Sequence, residues 1–344
     1  MKTNYFDSPV IAASGMMGFF GKGYTYSRLL KWILPILYSW RWITFHSKTT
    51  TAEANKGNMK LHGPEKDYEP VKFHPYCIHA DVLNGVAVNN VSLSGPGIKA
   101  LLRTGKWQKM TGEIHLNFML IGTTKEQRME EIDLITKQLA KYLSGFKAKK
   151  VFLRWNLSCP NTGHDVFKNF IESFDDEYAI ISTLKIPIIV KIGYNFPYEV
   201  AKKLEEYEYI FGFEAINTIR FDELPDNEKK EYFDEKYIKT GHDTFKVTYP
   251  SPLEKEQYRL NVKGPGGVSG NPIRKYALAW IQGAREYGIN KPIIGGGGIL
   301  WPWHVYQFRN AGANAVSLGS ISFLRPWCML ACVLTAKFAF RKGH

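Results

Sequence analysis

The sequence predicts an α/β fold, a closed (β/α)8 TIM barrel with inserted loops at its C-terminal face, and three observations carry that expectation. Short β-rich apolar runs alternate with longer segments of helical periodicity, which implies a parallel sheet with helices outside. About eight such units fit into 344 residues, which suits a closed barrel better than an open sheet. Glycine clusters follow the last strand candidates, where barrels often hold a phosphate.

The strand candidates, in order, are Pro9–Ala13, Trp42–Lys48, His115–Ile121, Val151–Leu157, Ile186–Ile192, Phe213–Asn217, Pro292–Ile294 and Ala315–Leu318. Each is short, rich in β-branched or aromatic residues, and bounded by turn residues. The clearest helical pattern is Lys125–Leu143, directly after Gly122-Thr123-Thr124. Residues 1–344 therefore read as one barrel domain. Two segments break the rhythm, the polar stretch 52–76 and the highly charged stretch 222–263; loops of this length in a compact domain are usually lids or decorations.

Composition excludes several classes. Hydrophobic residues at 44% and charged residues at 22% suit an ordinary globular protein, and a chain this long buries a core without disulfides or metals. The formal charge of +13 reads as a solvated basic surface, or as a field that attracts anionic ligands. No Lys/Arg block and no zinc-finger or RNP spacing accompanies it, which argues against nucleic acid. The cysteines are Cys77, Cys159, Cys328 and Cys332; they form no CxxC pair, so no metal site is expected, and their scarcity fits a reducing, cytoplasmic setting. The N-terminus has no signal-peptide pattern. The apolar stretch Leu29–Phe45 is interrupted by Lys31, Pro35 and Arg41 and falls short of the roughly 20 residues of a spanning helix. A buried helix packed on the barrel is the expectation there, with a membrane-surface contact as the second reading.

The chemistry concentrates in Asn156-Leu157-Ser158-Cys159-Pro160-Asn161-Thr162-Gly163. A lone cysteine in a turn is more often inert, but here two asparagines flank it at a strand end. Their amides suit the edge of a ring carrying C=O and N–H groups. A thiol, with a pKa of about 8.5, suits proton abstraction from an activated carbon. Lys191 sits inside the apolar run IPIIVKI, where an unpaired ammonium is costly. Lys48 closes another buried run and also suggests an anion partner. Gly266-Gly267, Gly297-Gly298 and Gly319-Ser320 follow near successive strand ends, and backbone N–H groups at such loops can cradle a phosphate.

On these motifs the chain resembles the dihydroorotate dehydrogenase family, in its class 1 branch with a cysteine base. The resemblance runs from about Pro9 to Pro326 in the family's order. It implies FMN as cofactor, dihydroorotate as substrate and orotate as product, in pyrimidine biosynthesis. Cys159 becomes the base. Asn156 and Asn161 become ring-edge ligands, with Asn156 also at the flavin. Ala13, Ser14 and Gly15 lie against the flavin, Lys48 lies near both flavin and substrate, and Lys191 and Ile216 lie at the flavin ring. Asn217 and Thr218 grip the substrate's other side, while Gly266, Gly267, Gly297, Gly298, Gly319 and Ser320 hold the FMN phosphate. The family's carboxylate-binding string reads here as Asn89-Asn90-Val91-Ser92-Leu93-Ser94-Gly95, so Asn89, Val91, Ser92 and Leu93 take that place. Ser92 stands where the family has glycine, and Gly95 where it has asparagine. That difference motivates one alternative, an FMN-dependent dehydrogenase or reductase of another pyrimidine such as uracil or dihydrouracil; a separate alternative is a flavin-binding pseudoenzyme that acts as an interaction module, with basic loops for a partner. The resemblance also implies a homodimer, and fumarate, or NAD through a partner subunit, as electron acceptor.

Overall fold

The computed structural model describes residues 5–157, 166–233, 236–239, 245–248, 251–254 and 265–341. Eight parallel strands form the barrel: β1 Val10–Ala12, β2 Phe45–His46, β5 Glu113–Phe118, β6 Lys150–Asn156, β7 Ile188–Ile192, β8 Ile210–Ala215, β13 Ile293–Gly296 and β14 Ala315–Leu318. Their order is β1-β14-β13-β8-β7-β6-β5-β2. The ring closes where Ala12 N donates to Thr44 O at 3.0 Å and Thr44 N donates to Val10 O at 2.9 Å. Every expected strand is present, most with shifted ends, because these runs are largely buried on both faces and so read clearly in one dimension. The helix after β5 spans Lys125–Leu143 as expected. Thr124 caps it, accepting from Gln127 N at 3.3 Å while Gln127 Oε1 reaches back to Thr124 N at 3.4 Å.

Alternate residues of each strand point into the barrel. The lowest interior layer is apolar: Phe6, Ile11, Phe152, Ile189, Ile294 and Ala315 pack together. One step up, at +2 along several of the same strands, stand Arg154, Lys191, Gly296 and Ser317. Thus the interior turns polar towards the C-terminal ends of the strands.

A second sheet was not foreseen. β3 Ile78–Asp81, β4 Val86–Asn89, β9 Ile219–Arg220 and β12 Gly267–Gly270 pair antiparallel in the order β3-β4-β12-β9. Its strands are two to four residues long, too short for a periodicity to show. This sheet engages the first of the expected phosphate glycines. Gly267 pairs with Asn89 and Arg220, and a Cβ on Gly266 would lie 2.7 Å from Leu253 Cδ1 and 2.9 Å from the Asn89 carbonyl oxygen. These glycines permit close strand approach.

Leu29–Phe45 also differs from expectation. The helix there covers only Thr25–Ile33, and its outer face is open: Trp32 is 80% and Ile36 is 72% exposed. No helix among the described residues is long and apolar enough to cross a membrane. In the stretch 52–76 a 3-10 turn at Pro64–Lys66 and bridges from Asn55 to Gly95 and from Leu61 to Pro70 fix the chain. Within 222–263 lie a helix at Asp226–Tyr232 and the paired strands β10 Lys236–Lys239 and β11 Phe245–Thr248.

Outside the barrel, Arg128 of the helix Lys125–Leu143 donates two bonds to Glu177, at 2.7 and 2.8 Å, with both groups buried. Removing one partner of such a pair leaves a buried charge and costs about 3–5 kcal/mol, whereas replacing both with apolar groups is often neutral or stabilising. Arg128→Met is therefore expected to lower stability by that amount in urea unfolding, and adding Glu177→Met is expected to restore most of it. A small loss in the single variant, or no recovery in the double, would contradict the assignment.

Candidate active site

A cavity of about 510 Å³ opens at the C-terminal ends of the barrel strands, a size that suits a cofactor together with a small ligand. Strand ends deliver its polar lining. After β1, Ser14 Oγ lies 2.9 Å from Thr49 Oγ1 and accepts from Thr49 N at 3.1 Å. After β2, the Lys48 ammonium, 6% exposed, donates to the Ser94 carbonyl at 2.6 Å and lies 5.2 Å from the Phe19 ring centre. Asn156 ends β6, buried, with its Nδ2 3.5 Å from Thr49 Oγ1. Asn217, after β8, places Nδ2 3.5 Å from Asn156 Oδ1, and Thr218 N donates to Asn217 Oδ1 at 3.0 Å. These two amides stand side by side at the cavity wall.

The turn carrying Ser92 is bound tightly. Ser92 and Leu93 have φ of 51° and 58°, the left-handed region that favours glycine. Four contacts compensate. Asn55 Nδ2 donates to Ser92 O at 2.9 Å, Asn58 Nδ2 donates to Ser92 Oγ at 3.1 Å and to Asn90 O at 2.9 Å, and Ser92 Oγ donates to Asn90 Oδ1 at 2.6 Å. Thus the stretch 52–76, through Asn55 and Asn58, holds the strained turn in place.

Gly297, Gly298 and Gly319 line the cavity with backbone packed too closely to admit a side chain. Gly298 has φ of 77°, and a Cβ there would lie 2.4 Å from the Gly270 carbonyl oxygen; at Gly319 it would lie 2.9 Å from Ala13 Cβ. Such backbone, bare of side chains beside an open cavity, fits a phosphate.

Beneath the cavity the charges are arranged in a row. Arg154 Nη1 lies 3.2 Å from Glu214 Oε2, and Arg154 Nε donates to His115 Nδ1 at 2.8 Å. His115 therefore carries its proton on Nε2, which donates to Glu113 Oε1 at 2.8 Å. Burial first, then Arg154, holds the His115 imidazole neutral. His46 is pushed down to about 3 chiefly by burial; its Nδ1 bonds to Ala12 O at 2.8 Å, and Asn117 Nδ2 lies 3.0 Å from its Nε2. Burial also pushes Glu113 up to about 7. Burial works to raise Glu214, but Arg154, His46, Lys191 and a bond from Ser317 outweigh it and hold its carboxyl below the usual range.

The cavity thus brings together Ala13, Ser14, Gly15, Lys48, Asn89, Val91, Ser92, Leu93, Asn156, Lys191, Ile216, Asn217, Thr218, Gly297, Gly298, Gly319 and Ser320. Gly266 and Gly267 are not among its lining residues. Cys159 and Asn161 lie outside the described residues.

Comparison with known proteins gives the same direction. No family model matches the chain. It is 26% identical over 328 residues to the catalytic subunit of dihydroorotate dehydrogenase B (NAD(+)) of Anoxybacillus flavithermus, covering 93% of this chain and 83% of that protein. With the protein of the same name from Methanocaldococcus jannaschii the identity is 24% over 264 residues, covering 75% of this chain and 74% of that protein. The chain is thus similar to dihydroorotate dehydrogenases over most of its length, the family that its motifs resemble. A crystal structure of DHODH from Eimeria tenella in complex with ferulenol shares the fold, with a TM-score of 0.59 and 14% identity over 97% of this chain and 81% of that one.

Sequence reasoning toward this family missed Thr49, Glu214, Ser269 and Ser317, all of which line the cavity. Glu214 had a readable signal. It interrupts the apolar run FGFEAI just as Lys191 interrupts IVKI.

Proposed function

We propose that the protein is an FMN-dependent dihydroorotate dehydrogenase that forms orotate in pyrimidine biosynthesis. The observation that carries this reading is the convergence of Lys48, Asn89, Asn156, Lys191 and Asn217 with Gly297 and Gly298 on one cavity, from separate strand ends. The donor set fits the cofactor: bare glycine backbone suits its phosphate, and Lys191, 7% exposed, suits the electron-poor end of its ring. When bound, FMN supplies the hydride acceptor. Asn89, Asn156 and Asn217 would hold the pyrimidine ring by its C=O and N–H edge, which keeps the reacting carbons oriented. Cys159, shortly after Asn156 in the chain, would take the proton from the carbon beside the ring carbonyl. The Asn89–Leu93 segment would face the substrate carboxylate.

Electrons must then leave the site. The curated relatives carry NAD(+) in their names and are catalytic subunits, which favours NAD reached through a partner subunit, with fumarate as the other acceptor. No group of metal-ligating side chains occurs among the described residues.

The test is the visible spectrum of purified protein, with and without dihydroorotate under exclusion of air. A flavin spectrum that dihydroorotate bleaches is expected. Bleaching by dihydrouracil and not by dihydroorotate would move the assignment to another pyrimidine, the reading that the Ser92 side chain at the cavity wall favours.

A further inference from the structure

The cavity is not electrically uniform. Among the described residues that line it, Lys48, Lys72 and Lys191 are cationic, and Glu214 is the one carboxylate. Glu214 is 1% exposed. It stands on β8, and its partner Arg154 stands on β6, outside the cavity lining. Arg154 Nη1 holds one Glu214 oxygen at 3.2 Å, Ser317 bonds to the same carboxylate, and Arg154 is itself fixed through His115 to Glu113.

The fold does not require this arrangement. Barrel interiors are ordinarily filled by branched aliphatic residues, and a buried ion pair is often no better than apolar groups of the same volume. Arg154 Nη2 finds no hydrogen-bond partner among the described residues, which adds to its cost. A carboxylate kept at the cavity wall on these terms calls for an explanation in the cavity.

We propose that Glu214 is a positioning residue for electron transfer: its carboxylate, held by Arg154 and Ser317, offsets the Lys191 charge and makes a flavin bound in the cavity harder to reduce. The inference rests on the flavin reading above. Reduction places negative charge on the cofactor. Lys191 favours that charge and a neighbouring carboxylate opposes it, with little screening in a buried site. Turnover needs both effects, because a flavin that only Lys191 tuned would accept electrons readily and release them poorly to the next acceptor.

The experiment is a redox titration of FMN-loaded protein, followed by its visible spectrum. Glu214→Gln is expected to shift the equilibrium toward reduced flavin by roughly tenfold, about 30 mV for a two-electron couple. Glu214→Asp is expected to return it toward the wild-type value. A merely structural carboxylate would alter stability and leave the potential in place, so an unmoved or lowered potential in FMN-loaded Glu214→Gln overturns the proposal. If that variant fails to fold because Arg154 is left as a lone buried charge, the double variant Arg154→Met, Glu214→Met removes both. A potential higher in the double than in Arg154→Met alone, which differs from it only at the carboxylate, supports the proposal, and equal potentials in the two overturn it. Wild-type protein that takes up no added FMN would instead overturn the flavin reading on which the proposal stands.

Discussion

Replacing Cys159 by alanine is expected to slow flavin reduction by dihydroorotate by about 10²- to 10⁴-fold, the usual range for a positioned general base, while FMN stays bound. The separation arises because the residues proposed for FMN, among them Lys191, Gly297 and Gly298, come from other strand ends. Stopped-flow absorbance with dihydroorotate in excess measures the effect. In the wild type the reduction rate should rise with pH through the titration of the thiol, near about 8.5 when unperturbed, since only the thiolate accepts a proton. Cys159→Ser should push that rise out of the accessible range, because a hydroxyl ionises much less readily. A Cys159→Ala variant that reduces its flavin at the wild-type rate would leave the thiol without a role and revive the pseudoenzyme reading.

Lys191→Met should give the second largest change. Methionine keeps most of the volume within a strand whose neighbours, Val190 and Ile192, are fully buried, but it removes the ammonium. A charged hydrogen-bonding partner contributes about 1.5–3 kcal/mol, so FMN affinity should fall roughly ten- to hundredfold, measured by fluorescence titration of flavin-free protein. The potential of the remaining bound flavin should fall, opposite in sign to the Glu214→Gln shift. Unchanged affinity and potential would remove Lys191 from the cofactor's surroundings.

Both residues were visible in the sequence for a physical reason. IPIIVKI is apolar on both faces, as a barrel strand must be, and a lysine within it has no cheap explanation. The same logic applied to FGFEAI would have found Glu214, and applied to the alternation in EIHLNF it would have shown Glu113, His115 and Asn117 facing inward as a polar column. Gly266-Gly267 is less legible, because a glycine pair states only that the backbone must be bare. Whether a phosphate or a neighbouring strand then approaches is decided by residues such as Asn89 and Leu253, far away in the chain. Ser92 could be flagged as a departure from glycine, but not the left-handed backbone it adopts nor the Asn55 and Asn58 amides that hold it.

By itself, then, the sequence determined the barrel and the presence of polar groups at its strand ends, because strand periodicity and burial are local and repeat along the chain. Only the tertiary structure decided which glycines border the cavity, how the accessory sheet pairs Asn89 with Gly267, and that Arg154 and Glu214 meet beneath the site. Those outcomes depend on the approach of segments distant in sequence, where the cost of a buried charge or an added Cβ is set by the partner and not by the residue.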